Sequence, residues 1–216
     1  MTATTLKEQI RKVAFRQLLR SQQPVPVATL ADQVGESQEL IEAQLRELDR
    51  QGLARRNQRG DVIGAVGLSV EPSRHELFIR DRKFWAWCAY DAVGIVAALG
   101  ASGRVLSKSP LTGATIDLRF RDGSPEESDA VLFLPDVIGS VSGRIPSPGP
   151  GVSVFDDWCP VANLFENRAA SLAWLEQHHV GGQTLSLAEA AARGAANWQP
   201  IVEPPDTVRT RRPPGG

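Results

Sequence analysis

Apolar residues recur at helical spacing through the first fifty positions of the chain. The first such stretch predicts a helix with an apolar face formed by Leu6, Ile10, Val13, Ala14 and Leu18. After a turn with two prolines, a short helix is predicted over residues 29–34. Ser37 is placed to cap a third helix, whose buried face would hold Leu40, Ile41, Leu45 and Leu48. Two strands joined through Arg59-Gly60-Asp61 complete a pattern typical of a winged helix-turn-helix, which we predict over residues 1–75.

Beyond this unit the pattern changes to alternating strands and two later helices. Strands are predicted for HELFIR, for the two halves of RVLSKSPLTGATIDLRF and for AVLFLP, and helices are predicted to begin near Asn167 and at Ser186. Residues 136–150 are rich in Gly, Ser and Pro and predict a loop, which is either a lid or a plain surface connection. Residues 203–216 lack an apolar pattern and are predicted to be disordered. We therefore expect an α+β fold, in which the N-terminal unit packs on a mixed sheet-and-helix domain over residues 76–202.

One predicted helix carries two reactive side chains on its apolar stripe. A helix is predicted over residues 82–99, with Asp81 as its N-terminal cap and Gly100 at its end. Apolar or reactive residues recur at every third or fourth position along it and form one stripe: Phe84, Cys88, Asp91, Ile95 and Leu99. Residues three apart on a helix share a face, with about 5–6 Å between their Cβ atoms. The Cys88 thiol and the Asp91 carboxyl are therefore expected to reach a single bound atom.

Composition and charge limit the classes of protein that the chain can belong to. Its 216 residues are 42% hydrophobic and 23% charged, which is typical of a soluble globular protein. The N-terminus lacks a continuous hydrophobic segment, and the longest apolar run is too short to span a bilayer, so we expect no signal peptide, no membrane association and a cytoplasmic location. The net charge of -1 gives no general attraction to nucleic acid.

Cys88 and Cys159 are the two cysteines of the chain. A structural disulfide is disfavoured in a reducing cytosol, which leaves inert buried thiols, a redox pair or a metal site. Cys159 follows a strand-like run, and Pro160 cannot continue a central strand, so the strand is expected to end there with Cys159 at its mouth. Structural zinc is disfavoured because His75, His178 and His179 lack the spacing of a common module. A Cys-x-x-Cys redox motif is absent.

The third predicted helix argues against DNA binding. Residues 36–51 carry five acidic side chains against two arginines, a sum of -3. Phosphate contacts supply most of the affinity of such modules, so an acidic reading helix would be repelled by DNA. Arg55, Arg56 and Arg59 on the wing act in the opposite direction, but three exposed arginines are more often a solvated edge. Nucleic acid is therefore a disfavoured partner.

Several stretches together resemble the organomercurial lyase (alkylmercury lyase) family. They are GDVIGAVGLSV, FWAWCAYDAVGIVAALG, RVLSKSPLTGATIDL and WCPVANLF with the later LAWLEQHH, and the similarity is collinear over nearly all of residues 6–198. The resemblance implies an active site formed by Cys88, Asp91 and Cys159. It also implies that the N-terminal unit packs on the catalytic domain and does not read DNA.

The chemistry of carbon–mercury cleavage fits these residue types. Mercury is a soft ion and thiolates are the soft ligands of proteins, so Cys88 and Cys159 are expected to bind it, with Asp91 as a possible weak ligand. An aspartate on an apolar stripe should have a raised pKa and could pass a thiol proton to the leaving carbon. The expected products are a hydrocarbon and Hg(II).

No cofactor is expected for this reaction. Small external thiols or a mercuric reductase would remove the Hg(II). The main alternative is a noncatalytic protein of the same fold that binds or senses mercury or copper, and a winged-helix DNA-binding regulator comes third. Asp91 favours the enzyme, because simple binding does not require a buried acid.

Overall fold

The computed structural model of the protein describes residues 5–136 and 153–202. Within them lie six α-helices: α1 (Leu6–Ser21), α2 (Val27–Val34), α3 (Gln38–Arg50), α4 (Ala89–Ala98), α5 (Arg168–His178) and α6 (Leu187–Val202). The strands are β1 (Ala54–Arg56), β2 (Val62–Ala65), β3 (Leu68–Ser69), β4 (His75–Ile79), β5 (Arg82–Ala86), β6 (Gly103–Lys108), β7 (Thr115–Arg121), β8 (Ser124–Pro125), β9 (Val131–Pro135), β10 (Asn163–Phe165) and β11 (Gly182–Ser186). Apart from Asp136, the loop predicted over 136–150 lies outside the described residues, as does the predicted tail 203–216.

Two antiparallel sheets organise the described part of the chain. The larger has the order β1-β2-β3-β5-β4-β6-β7-β8, and the smaller has the order β10-β9-β11. The predicted α+β class is confirmed. Three helices precede β1 and β2 as expected, with Thr5 and Ser37 as side-chain caps of α1 and α3. The winged-helix assignment and the domain boundary at residue 75 stay predictions; strands β1 to β3 continue into the large sheet through β5.

The helix predicted over residues 82–99 is wrong in its first half. Arg82–Ala86 forms strand β5, paired with β4 and β3, and the helix begins only at Ala89. Arg80 and Asp81 form the two-residue turn between β4 and β5, both at positive φ, so Asp81 does not cap a helix. The apolar stripe misled because Phe84 is buried by the sheet, where aromatic residues are equally favoured.

Helix α4 lies at the centre of the fold against α6. The two helices approach most closely at Gly94 and Gly194, where a Cβ on Gly94 would lie 3.1 Å from the Gly194 Cα and 2.7 Å from the Trp198 ring. Larger residues would force the helices apart, so both glycines serve the close approach. No helix in the described residues has the length and apolar character needed to span a membrane.

Candidate active site

Cys88 is the N-cap of α4. Its backbone is extended (φ -138°, ψ 173°), and its Sγ accepts a hydrogen bond from the Asp91 N–H at 3.4 Å. In return the Cys88 N–H donates to Asp91 Oδ2 at 3.0 Å. The two residues form a capping box, in which a thiol takes the place of the usual hydroxyl. The predicted pairing of Cys88 with Asp91 therefore forms, but through the helix start and not through a shared helical face.

Cys159 is held by a π-helical turn, Val154–Trp158, and not by the predicted strand. The Ser153 side chain caps this turn by accepting from the Asp156 N–H, and the Cys159 N–H donates to the Val154 carbonyl at 2.9 Å. Polar caps of this kind satisfy the free amides at a helix start. The short alternation of VSVF predicted a strand and gave no sign of such a capped turn. Cys159 is consequently buried, with 2% of its surface exposed, and does not lie at the mouth of a strand.

The three predicted residues meet at one point. One ligand atom each from Cys88, Asp91 and Cys159 lie within 4.8 Å of one another, and all three residues are buried. Cys159 Sγ donates to Asp91 Oδ2 at 3.9 Å, and both thiols are free. Two soft donors and one carboxylate are therefore close enough together to bind one metal ion.

Burial sets the protonation of the site. It raises the pKa of Asp91 to about 6, although hydrogen bonds from Cys88 and Cys159 act to lower it. Burial also raises the pKa of Cys88 far above that of a free thiol. For Cys159, a hydrogen bond from the Cys88 thiol lowers the pKa, but burial and the Asp91 charge outweigh it and the net shift is upward. Near neutral pH the site thus holds two thiols, and a carboxyl that can both take and give a proton.

Sequence reasoning missed the turn that covers Asp91. Val66 and Gly67 join β2 to β3 with φ of 53° and 85°. A Cβ at Gly67 would lie 2.6 Å from the Asp91 Cβ and closer still to its carboxyl group. The Trp198 indole N–H donates to the Val66 carbonyl, and the Trp87 N–H donates to the Gly67 carbonyl, each at 2.9 Å. A β-branched residue at positive φ is strained, so these two hydrogen bonds hold an unfavourable turn against the carboxyl.

Arg74 was also missed. Its side chain lies over the turn after Cys159 and donates to the Pro160 carbonyl at 3.1 Å and to the Cys159 carbonyl at 3.4 Å. Nothing in the sequence links residue 74 to residue 159, because the contact depends on how β4 is placed beside the π-helical turn. The sequence signal was only an arginine next to a strand start.

Aromatic rings pack around Tyr90, which lies between Cys88 and Asp91 in the chain. Tyr90 packs edge-on against Trp158 and Trp198, with ring centroids 6.1 and 5.3 Å apart. Its hydroxyl accepts from the Asn197 side chain at 2.7 Å. Burial raises the pKa of Tyr90 above its ordinary value, so the phenol stays neutral and does not compete with Asp91 as an acid.

The three histidines lie apart from this cluster. His75 is buried and hydrogen-bonded to Ser107, and burial lowers its pKa to about 3. His178 stacks on Trp174. In the described residues no histidine joins Cys88, Asp91 and Cys159 as a fourth ligand, which a structural zinc site would require.

The fold and site define a class: an α+β protein with two buried thiols and a carboxyl directed at one point. The family model for alkylmercury lyase matches residues 68–199, and the chain belongs to the alkylmercury lyase family. The resemblance noted from the sequence is thereby confirmed.

Curated relatives agree with this membership, and a solved structure shares the fold. The alkylmercury lyase of Staphylococcus epidermidis is 29% identical over 167 residues, which cover 76% of this chain and 72% of the relative. That of Streptomyces lividans is 28% identical over 200 residues, covering 92% of this chain and 84% of the relative. The fold is similar to that in a crystal structure of the mercury-bound form of MerB2, with a TM-score of 0.75 and 20% identity over 93% of this chain and 100% of that one.

Proposed function

We propose that this protein is an organomercurial lyase that cleaves the carbon–mercury bond by protonolysis. Family membership supports the reaction class. The observation that carries the proposal for this chain is the convergence of Cys88, Asp91 and Cys159 within 4.8 Å in a buried site. A buried carboxyl costs stability and is not needed for holding a soft metal, so its presence favours catalysis over storage.

In the proposed reaction, Cys88 and Cys159 replace the thiol that carries the substrate. An organomercurial enters as a complex with a small thiol, and the first cysteine sulfur displaces that thiol, which leaves with one proton. The second cysteine then binds the same mercury, and its proton passes to Asp91. Donation from two sulfurs makes the carbon bound to mercury more basic, as expected for soft thiolate ligands.

Asp91 then delivers the proton to the leaving carbon. Its Oδ2 accepts from the Cys159 thiol, and its pKa of about 6 lies near neutrality, so it can take a thiol proton and release it again. The carbon–mercury bond breaks, the hydrocarbon leaves, and Hg(II) stays on the two sulfurs. Two thiol protons are consumed, one by the carbon and one by the departing thiol, so the balance closes without an oxidant or a resident cofactor.

Small external thiols or a mercuric reductase are the proposed acceptors of the Hg(II). A cytoplasmic location, with its reducing thiol pool, suits this step and keeps Cys88 and Cys159 free. For the N-terminal helices we propose a packing role on the catalytic core without DNA reading. Arg56, one of the wing arginines, is paired with Glu42 of α3 and is not available to phosphate.

The test is a direct product assay. Reduced protein is incubated with phenylmercury and excess thiol, and benzene is measured by gas chromatography. We expect turnover by the parent and its loss in Cys88→Ser and in Cys159→Ser, each of which should also lose tight binding of one Hg(II) per chain. Unchanged turnover in Cys159→Ser would refute the two-thiolate mechanism. A parent that holds intact organomercurial without releasing benzene would be a soft-metal carrier.

A further inference from the structure

We infer that Arg74 selects among organomercurials, favouring those whose organic group carries a negative charge. This inference rests on the function proposed above. It concerns the side of the site where the guanidinium of Arg74 lies over the turn that carries Cys159.

Arg74 is fixed in place by main-chain contacts. Its guanidinium donates to the carbonyls of Pro160 and Cys159, at 3.1 and 3.4 Å. These contacts join the start of β4 to the turn that follows the π-helix, so the position of the guanidinium follows the position of Cys159. A planar group with five donors keeps several N–H groups for another partner after making two such bonds.

The positive charge of Arg74 is not neutralised by its neighbours. Both of its partners are neutral carbonyls, and across residues 5–136 and 153–202 no carboxylate lies within ion-pair distance of it. Burial lowers the pKa of Arg74, whereas Cys88 and Cys159 in their thiolate forms act to raise it, so the guanidinium lies within electrostatic range of both sulfurs. The charge is therefore available to an anion bound at, or extending from, the two sulfurs.

Exposure distinguishes this side of the site from the rest. Cys88 is fully buried, and Trp87 and Trp158 are nearly so, whereas Arg74 and Pro160 are exposed. An organic group that extends outward past Cys159 would pass the guanidinium. A para-carboxylate on an aromatic ring bound to mercury could then accept charge-assisted hydrogen bonds from the N–H groups that Arg74 leaves free.

The expected preference is modest and has a kinetic signature. Ion pairs with partly exposed groups are weak, so we expect the charge of Arg74 to change relative kcat/KM by about three- to tenfold. The carboxylate takes no part in bond breaking, and it meets Arg74 equally in the bound substrate and in the transition state. Such uniform binding changes KM and leaves kcat nearly unchanged.

The experiment uses three arylmercurials that share one ring. These are 4-mercuribenzoate, phenylmercury and 4-(2-trimethylammonioethyl)phenylmercury, with negative, neutral and positive substituents. The two-carbon spacer keeps the cationic nitrogen from withdrawing electrons from the ring and slowing protonolysis by itself. For the full chain we expect kcat/KM to fall in that order, through KM, and the differences to shrink as salt is raised. Arg74→Lys should keep the order, whereas Arg74→Gln should bring the three substrates within about threefold of one another.

Arg80→Gln is the matched control. Arg80 is exposed, lies at the far end of β4 and carries the same charge, so its loss should leave the substrate order intact. If Arg74→Gln lowers kcat for all three substrates alike and keeps their order, Arg74 only holds the Cys159 turn and the inference is wrong. A parent without any preference also overturns it. Absence of cleavage of every arylmercurial by the parent would instead count against the proposed lyase function.

Discussion

Replacing Asp91 with asparagine should make the protein more stable and much less active. Burial raises the pKa of this carboxyl from 3.8 to about 6. Because the value in the folded state is the higher one, the folded protein holds the proton more tightly than the unfolded chain does. The contribution of Asp91 to stability is therefore greatest below about pH 4 and is lost as the pH rises through about 6.

The size of the effect follows from that shift. A difference of about two pKa units, at about 1.36 kcal/mol per unit, means that ionised Asp91 costs the fold about 3 kcal/mol at neutral pH. Asparagine is neutral and nearly the same shape, and its oxygen can accept the Cys88 N–H and Cys159 thiol hydrogen bonds that Oδ2 accepts. Its NH2 group is then buried in place of the other carboxylate oxygen, which costs part of the gain. We therefore expect a net gain of about 1–2 kcal/mol, which raises Tm by about 2–8 °C for a chain of this size.

Activity should move in the opposite direction. A positioned general acid is worth about 10²–10⁴ in rate, so Asp91→Asn should release hydrocarbon that much more slowly. Cys88 and Cys159 remain able to capture the substrate. Mass spectrometry of the variant should therefore find mercury on the protein with the organic group still attached.

Both properties can be measured on the same reduced samples. Urea unfolding at pH 7.5 and at pH 4.5 isolates the charge from the packing, because the stability gain should be present at the first pH and nearly absent at the second. Asp117→Asn is the control: its carboxyl is paired with Arg104, which lowers its pKa, so this variant should be slightly less stable at neutral pH. An equal gain for Asp91→Asn at both pH values would refute the electrostatic argument. Hydrocarbon release within about threefold of the parent rate would show that another group is the acid.

Three further outcomes are expected. Gly67→Ala should abolish turnover, because its Cβ would strike Asp91. The control is Gly113→Ala, at an exposed position with positive φ and nothing within 4 Å of the added Cβ, which should lower stability but not activity. Hydrocarbon release and urea unfolding are measured for both variants to separate the two effects. Oxidation should join Cys88 to Cys159 and inactivate the protein until a reductant is added; mass spectrometry and recovery of activity test this, and inactivation that no reductant reverses would contradict it. The intact protein should not retain sequence-specific duplex DNA at moderate salt in a gel-shift assay, and nanomolar binding to a defined site would promote the regulator hypothesis.

The sequence analysis predicted which residues lie together better than it predicted their surroundings. Cys88 and Asp91 come together in the structure although the helix that was meant to align them begins at Ala89. The prediction succeeded because a spacing of three serves two geometries: one face of a helix, and the N-cap with its third helical residue. Residue spacing alone could not distinguish these two geometries. Phe84, whose burial was attributed to the helix, is in fact buried as part of strand β5.

Cys159 shows the limit of local pattern more clearly. The residues before it alternate like a strand, yet they form a π-helical turn capped by Ser153. Turns of this kind depend on a few side chain to backbone hydrogen bonds and not on a repeating apolar pattern. The contact between Cys159 and Cys88 joins distant parts of the chain. It was therefore expected only from the family resemblance.

The contacts that raise the pKa of Asp91 could not be predicted from any single segment of the sequence. Its pKa depends on desolvation, and the desolvation depends on a turn from β2 to β3 that is pressed against the carboxyl by hydrogen bonds from Trp87 and Trp198. Trp198 belongs to α6 and reaches this turn because Gly94 and Gly194 let α6 approach α4 closely. Three separate features thus act together on the Asp91 carboxyl. They are the strained turn at Val66, the glycine pair Gly94 and Gly194, and Trp198 near the end of the described residues. Each of these three features is ordinary in the sequence. Only the packing shows that all three act on Asp91 and that it compensates the strain of the turn at Val66.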